Sequence, residues 1–369
     1  MTEVDEGQLP SLTEQDARWL RVRRYLRDHR YDLAVTASQE LYDDVPRVAD
    51  TPLLTSAAWM PDEPVPLDQV QLDLDVDAPD PFEPTTAPPY SQLLGRLASP
   101  AVFENRPTYR LLAADLSIAK PVMRFGLGHY FDAIDTGEAL GHEFAAAQLG
   151  EPHDTLRADT GSPIDPRRRP MNVAISALTI RFDRESGDAR FLLHLRDPAK
   201  VGHAGGLYQV IPVGVFQPAT DHPDSVHNDF SLWRCLVREF AEELLGEEEV
   251  AADTGPINYD GWPLAVELAA ERRAGAVRAF CLGMGVDPLT LATDLLCVVV
   301  LDAPVFDRIF AALVSSNAEG ELAEVRDDGP GLPFVAAEVD RLSQREPMQA
   351  AGAAVLRLAW RHRTAVLAP

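Results

Sequence analysis

Three carboxylates, Glu239, Glu242 and Glu243, stand at positions i, i+3 and i+4 of the run Arg238-Glu239-Phe240-Ala241-Glu242-Glu243. Each helical residue advances by roughly 100°, so this spacing puts all three on one side of a helix. Converging carboxylate oxygens make a hard site of the kind that holds Mg²⁺ or Mn²⁺ against phosphate oxygens. Arg238, one turn before Glu242, can pair with carboxylates and orient them. The chemistry suggested is metal-assisted work on phosphate. The bland alternative is a solvated acidic face, common in a chain of 369 residues with a formal charge of -25.

The helix that must present these groups is expected over 229–245. Leu232, Trp233, Leu236, Val237, Phe240 and Leu244 form one apolar arc, and Glu243 falls inside its edge. A carboxylate turned toward a core is costly unless a cation or hydrogen bonds meet it, which weakens the bland alternative. Upstream, Pro212-Val213-Gly214 makes a turn between a strand and this helix. Residues 173–182 read as a strand, 183–188 as a glycine-containing turn and 189–195 as a second strand, together a hairpin. Residues 207–216 are β-like and lead into a loop over 217–228. An apolar strand is expected over 294–301, a helix over 303–315 and a C-terminal helix over 348–362. This order belongs to a mixed α/β sandwich rather than a βαβ parallel sheet.

The first half is organised differently. A helix is expected over 13–30, with Thr13 as N-cap and Trp19, Leu20, Val22, Tyr25 and Leu26 at apolar spacing. Its arginines, Arg18, Arg21, Arg23, Arg24, Arg27 and Arg30, read as a solvated face pairing with the chain's own acids. A nucleic-acid-binding helix is the sharper alternative, but no second helix behind a short turn is evident, as a helix-turn-helix requires. Residues 61–89 are rich in Pro and Asp around a short strand near Val70 to Val76. The run 90–148 looks ordered and ends in a helix over 139–149. Arg124, His129, Tyr130 and Asp132 surround Phe125-Gly126-Leu127-Gly128, read as a turn with surface residues rather than a ligand loop. A polar, proline-rich break follows over 151–170, with the triplet Arg167-Arg168-Arg169. The expected organisation is an α+β region over 1–150, a linker over 151–170 and a second domain over 171–369.

The strong negative charge repels nucleic acid and anionic membrane, so a nucleotide-sized anion needs a local metal or arginine cluster. Cys235, Cys281 and Cys297 lack ligand-like spacing and read as buried, reduced packing residues. The first residues are acidic, and no apolar run reaches about 18 residues, so no membrane span and a cytoplasmic location are expected.

Together the residues around the carboxylate helix resemble the Nudix hydrolase superfamily over about residues 170–320. Arg238 to Glu243 match the family's Arg-Glu-apolar-X-Glu-Glu helix position for position, and Pro212-Val213-Gly214 looks like its strand-to-loop turn. The order of elements is also similar to the C-terminal region of some actinobacterial regulatory proteins. The resemblance implies an α/β fold: a Nudix-like mixed-sheet α/β/α sandwich preceded by the α+β N-terminal region. It implies Mg²⁺ or Mn²⁺ on Glu239, Glu242 and Glu243, one of them serving as general base, with Arg238 holding the carboxylates in register. The substrate class implied is nucleotide-like, a nucleoside diphosphate linked to another group. Arg196, Lys200, His203 and Gly214 are the candidate substrate contacts, and Glu319, Glu321 and Glu324 are candidate downstream acids. Glu247, Glu248 and Glu249 read as solvated residues past the helix end. Family members often pair, so a homodimer is compatible with the sequence.

The chain also departs from the family pattern. Phe230 stands where a glutamate is expected, the loop from Gly214 to Arg238 is enlarged, and Leu245 precedes Gly246 where glycine is expected first. Two readings therefore stay open: a hydrolase, or a Nudix-like ligand-sensing or protein-interaction module without turnover.

Overall fold

The computed structural model describes residues 12–80, 86–100, 103–153, 155–196, 207–249, 254–314, 320–322, 325–326 and 329–368. Helix α1 (Glu14–Asp28) starts where its cap dictates: the Thr13 hydroxyl accepts from the Asp16 N–H, and the Asp16 carboxylate accepts from the Thr13 N–H. A second helix, α2 (Arg30–Leu41), follows after His29 alone, contrary to expectation. Its buried stripe is short, made of Leu33, Ala34 and Ala37, and gives little periodic signal. The arginines of this pair do meet the chain's own acids, but not all in solvent. Arg23 and Arg30 converge on Glu138, and Arg30 and Glu138 are both buried. Arg18 and Arg21 meet Glu151 nearer the surface.

The chain continues through β1 (Val65–Pro66), β2 (Gln71–Leu74), α3 (Tyr90–Leu97), β3 (Pro107–Asp115) and β4 (Val122–His129). Strand β4 pairs with β2 in parallel and with β3 antiparallel. Phe125-Gly126-Leu127-Gly128 is thus not a turn but the interior of β4. Its glycines make room for the Arg110 side chain: a Cβ at either Gly126 or Gly128 would come 3.3 Å from it. Helix α4 (Tyr130–Ala133) runs into a π-helical turn (Ile134–Glu138) and then α5 (Ala139–Gln148). The break over 151–170 contains a short helix, α6 (Leu156–Thr160).

The second half begins with β5 (Val173–Phe182), β6 (Ala189–Phe191), β7 (Leu193–Arg196), β8 (Tyr208–Val210) and β9 (Val213–Val215). Helices α7 (Ser225–Asn228) and α8 (Leu232–Glu239) follow, and α8 passes into a π-helical turn (Phe240–Leu244). Next come α9 (Pro263–Arg273), β10 (Val277–Val286), β11 (Thr293–Asp302) and α10 (Ala303–Ile309), then short strands β12 (Gly320–Leu322), β13 (Val325–Arg326), β14 (Gly329–Pro330) and β15 (Leu332–Pro333). Helices α11 (Ala336–Arg345) and α12 (Ala350–Arg361) complete the layers.

Among the described residues the main sheet has seven strands, in the order β1-β10-β11-β5-β6-β15, with β9 also on β5. Strands β11 and β5 are parallel and the other pairs antiparallel, so the expected mixed α/β class is observed. Both faces are covered, which is why β5 and β11 read as nearly continuous apolar runs. Ile175, Ala177, Cys297 and Val299 pack toward α8, α9 and α10. Leu178, Ile180, Val298 and Val300 pack toward α11 and α12.

Strand β10 escaped the sequence pattern because Gly283 and Gly285 interrupt it. Gly283 has φ 141° at a register shift, and a Cβ at Gly285 would come 2.6 Å from Leu53 Cγ. The two halves share a core: Leu111 N–H donates to the Met171 carbonyl at 2.8 Å, and Tyr109 N–H to the Phe216 carbonyl at 3.2 Å. The three cysteines are buried and none forms a disulfide. No described helix is long and apolar enough to cross a membrane.

Candidate functional site

Helix α8 begins at Ser231, whose hydroxyl accepts from the Arg234 N–H, and buries Leu232, Cys235, Leu236 and Val237 against the sheet. Its continuation is π-helical, with i→i+5 bonding, a geometry that recurs at functional sites. Glu239 and Glu242 line a cavity of about 340 Å³, a ligand-sized volume. Glu243, at the apolar border as its sequence position implied, is buried and accepts the Val213 N–H at 3.2 Å. It does not line that cavity. Gly214 is required for a reason its turn position did not reveal: a Cβ there would fall inside the Glu239 carboxylate.

Arg238 is buried, and its guanidinium is turned to Tyr259, Gln217 and Asp229. It donates to Tyr259 Oη at 2.9 Å and to the Gln217 carbonyl at 2.8 Å, and stands 3.7 Å from Asp229. Asp229 is fully buried and also accepts from Tyr259 Oη and the Ala219 N–H, each at 2.8 Å. The loop before the helix therefore supplies the counter-charge for Arg238. Phe230 belongs to an aromatic cluster, its ring centroid 5.0 Å from Tyr109, 5.6 Å from Phe216 and 5.8 Å from Phe125. Where a glutamate was expected, Phe230 makes a packing contact between the two halves of the chain.

The first half supplies much of the remaining wall. Tyr130 and the π-helical turn carrying Gly137 and Glu138 line the cavity. Gly137 packs so closely on the Thr290 carbonyl that a Cβ would come 2.6 Å from it. The 287–292 loop is fixed from both sides. Asp287 accepts from the N–H groups of Leu289 and Thr290, and Arg157 donates to the carbonyls of Pro288 and Leu289. Leu291 in this wall is held at φ 56°, an uncommon conformation for a branched side chain.

Asp294, at the start of β11, lines the cavity at 2 % exposure and accepts from Ser176 Oγ at 2.7 Å. Burial pushes its carboxyl up to about 7, against the lowering effect of the Ser176 bond. Arg169 lines the same cavity, and burial pulls its guanidinium down to about 9, opposed by Tyr42 and reinforced by Arg157.

No protein-family model matches this sequence, and no curated protein does. Among solved structures, a MutT/nudix family protein from Enterococcus faecalis is similar at 11 % identity and a TM-score of 0.29, over 54 % of this chain and 68 % of that one. A NUDIX hydrolase from Alicyclobacillus acidocaldarius is similar at 17 % identity and a TM-score of 0.27, over 51 % and 90 %. Both similarities are weak and cover about half of the chain.

Among the described residues no group of three or more His, Cys, Asp or Glu side chains is arranged to hold a metal ion. Glu243, which accepts from the Val213 N–H, is not in the cavity lining with Glu239 and Glu242. Glu239 and Glu242 still offer hard oxygen donors to one cavity, and Mg²⁺ characteristically takes one or two carboxylates plus substrate oxygens and water. The donor set fits that ion.

The other expected residues are scattered. Arg196 ends β7, on a sheet separate from the cavity strands, and Lys200 and His203 lie outside the described residues. Glu321 lies in β12, while Glu319 and Glu324 are outside the described residues. Glu247 and Glu248 are exposed as expected, but Glu249 pairs with the buried Arg106 and lines the cavity. Of the residues around Gly126, Tyr130 reaches the cavity; Arg124 pairs with Asp73, and the Asp132 carboxylate accepts from the His129 N–H.

Sequence reasoning passed over Asp294 and Arg169. Asp294 did leave a signal, as an acid heading an otherwise apolar strand. Nothing in Arg167-Arg168-Arg169 marks the third arginine as the buried one.

Proposed function

We propose that this chain is a divalent-metal-dependent hydrolase of a nucleoside diphosphate linked to another group. The observation that supports this best is that Glu239, seated on Gly214, and Glu242 line one ligand-sized cavity. These two residues would hold Mg²⁺ or Mn²⁺, which when bound neutralises a diphosphate and lowers the pKa of an attacking water. The protein's own contribution is positional. Gly214 lets the Glu239 carboxylate approach the backbone of β9. Glu243 ties the π-helical turn carrying Glu242 to the same strand through the Val213 N–H. Asp229 and Tyr259 fix Arg238 and with it the helix register.

Ligand sensing without turnover is the second reading. It is favoured by Phe230 in the aromatic cluster and by the diversion of Arg238 to Asp229. A panel of nucleoside diphosphate compounds, assayed for phosphate or nucleotide release with Mg²⁺ or Mn²⁺, separates the two. Release by the native protein, lost in Glu239→Gln and Glu242→Gln, is the expected result. Ligand-dependent stabilisation with no release from any compound would replace the hydrolase with the sensor.

A further inference from the structure

Arg169 is 4 % exposed, and it lines the cavity without a carboxylate partner among the described residues. Its bonds run to the carbonyls of Pro170 and Pro163, each at 3.2 Å, and to Thr293 Oγ1 at 3.3 Å. A guanidinium has five N–H donors, and the Arg169 Nε–H has no acceptor. Its charged neighbour is Arg157, itself bonded to the carbonyls of Leu140, Pro288 and Leu289.

Several other deeply placed arginines meet acids, although Arg110, also buried, is bonded to the carbonyls of Leu127 and Pro79. Arg23 and Arg30 meet Glu138, Arg106 meets Glu249 and Arg238 meets Asp229. With 58 acids to 33 bases the chain does not lack acids for the purpose. A buried charge without a counter-ion is costly, so an anion entering the cavity would stabilise the Arg169 guanidinium. Asn172 adds a second unmet group to the same wall: its buried Oδ1 has no hydrogen-bond partner.

Strand register divides the lining of the cavity between the two faces of the sheet. Asp294 pairs with Ala174, and Ala174 with Val215, so these three share one face of the sheet. Gly214 pairs with Ile175 and belongs to the other face, that of α8. The cavity is lined from both.

We propose that Arg169 forms an oxyanion subsite with Asn172 beside it, so that the ligand carries a phosphate or carboxylate at Arg169 distinct from the group held at Glu239 and Glu242. Asn172 Oδ1 accepts a hydroxyl or N–H next to that anion. This inference rests on the cavity being the ligand site, as in the function proposed above, but needs no metal and no turnover.

The test is calorimetric titration of the full chain in EDTA with inorganic phosphate and with malonate, which separate phosphate from carboxylate preference. One equivalent of either should bind the native protein and raise its melting temperature. Arg169→Lys keeps a buried cation but loses the planar fork, and should bind about tenfold or more weakly. Arg169→Gln should lose binding, while Glu242→Gln should retain it. No binding of either anion to the native protein, or equal binding by native protein and Arg169→Lys, overturns the proposal. Anion binding that depends on Arg169 without any metal-dependent turnover would sink the hydrolase reading alone. Turnover with unchanged KM in Arg169→Gln would sink the subsite alone.

Discussion

Asp294→Asn isolates the effect of one buried carboxyl on stability. Asp294 is 2 % exposed, and Ser176 Oγ donates to it at 2.7 Å. Its folded-state pKa is pushed up to about 7 from the ordinary 3.8. Between those values the folded protein holds a proton that the unfolded chain has released. Stability from this group is therefore fully present below the unfolded pKa and is lost as pH rises through the folded one. The gap between about 7 and 3.8 corresponds to roughly 4 kcal/mol in all, of which roughly 2 to 3 kcal/mol falls between about pH 5 and pH 8. Asparagine cannot ionise, yet keeps an acceptor for Ser176. Urea unfolding of both proteins at several pH values gives the comparison. The stability of Asp294→Asn relative to the native protein should rise by that amount from pH 5 to pH 8. Asp16, Asp165 and Asp183, whose pKa values are lowered, weaken both proteins together in acid and cancel in the difference. A difference that is flat with pH, or that grows toward acid, would refute a dry, proton-holding Asp294.

Two further substitutions probe the architecture of the glutamate end. Gly214→Ala puts a methyl group where the Glu239 carboxylate lies, so metal-dependent turnover should fall on the order of a hundredfold, with little change in urea midpoint. Undiminished turnover would remove Glu239 from the reacting centre. Asp229→Ala leaves Arg238 buried without its counter-charge and should cost about 3 to 5 kcal/mol in urea unfolding. The double change Asp229→Ala with Arg238→Met should cost clearly less than the sum of Asp229→Ala and Arg238→Met; additive losses would mean that the two residues stabilise the fold independently.

Local periodicity and capping chemistry are carried by neighbours in the chain, and these features were legible without coordinates. Thr13 caps α1 as read, β5 has the limits its apolar run suggested, and β11 extends its expected run by one residue at each end. The apolar arc of α8 reaches the core, with Glu243 at its border. Where long-range contact overrode local pattern, the reading failed. Gly126 and Gly128 look like turn residues but serve the passage of Arg110 across β4, and Gly283 and Gly285 hide β10 for a similar steric reason.

The sequence by itself determined the mixed α/β class, the carboxylate helix and the apolar strands beneath it, because each is written in side-chain spacing along one element. Tertiary structure alone decided which charges meet. It gave Arg238 to Asp229, sent Glu243 to the Val213 N–H, packed Phe230 among aromatics, and left Arg169 and Asp294 in a cavity built by both halves of the chain. Electrostatic partnership depends on distance and burial, and residues more than a hundred positions apart, such as Ser176 and Asp294, acquire both only when the sheet closes.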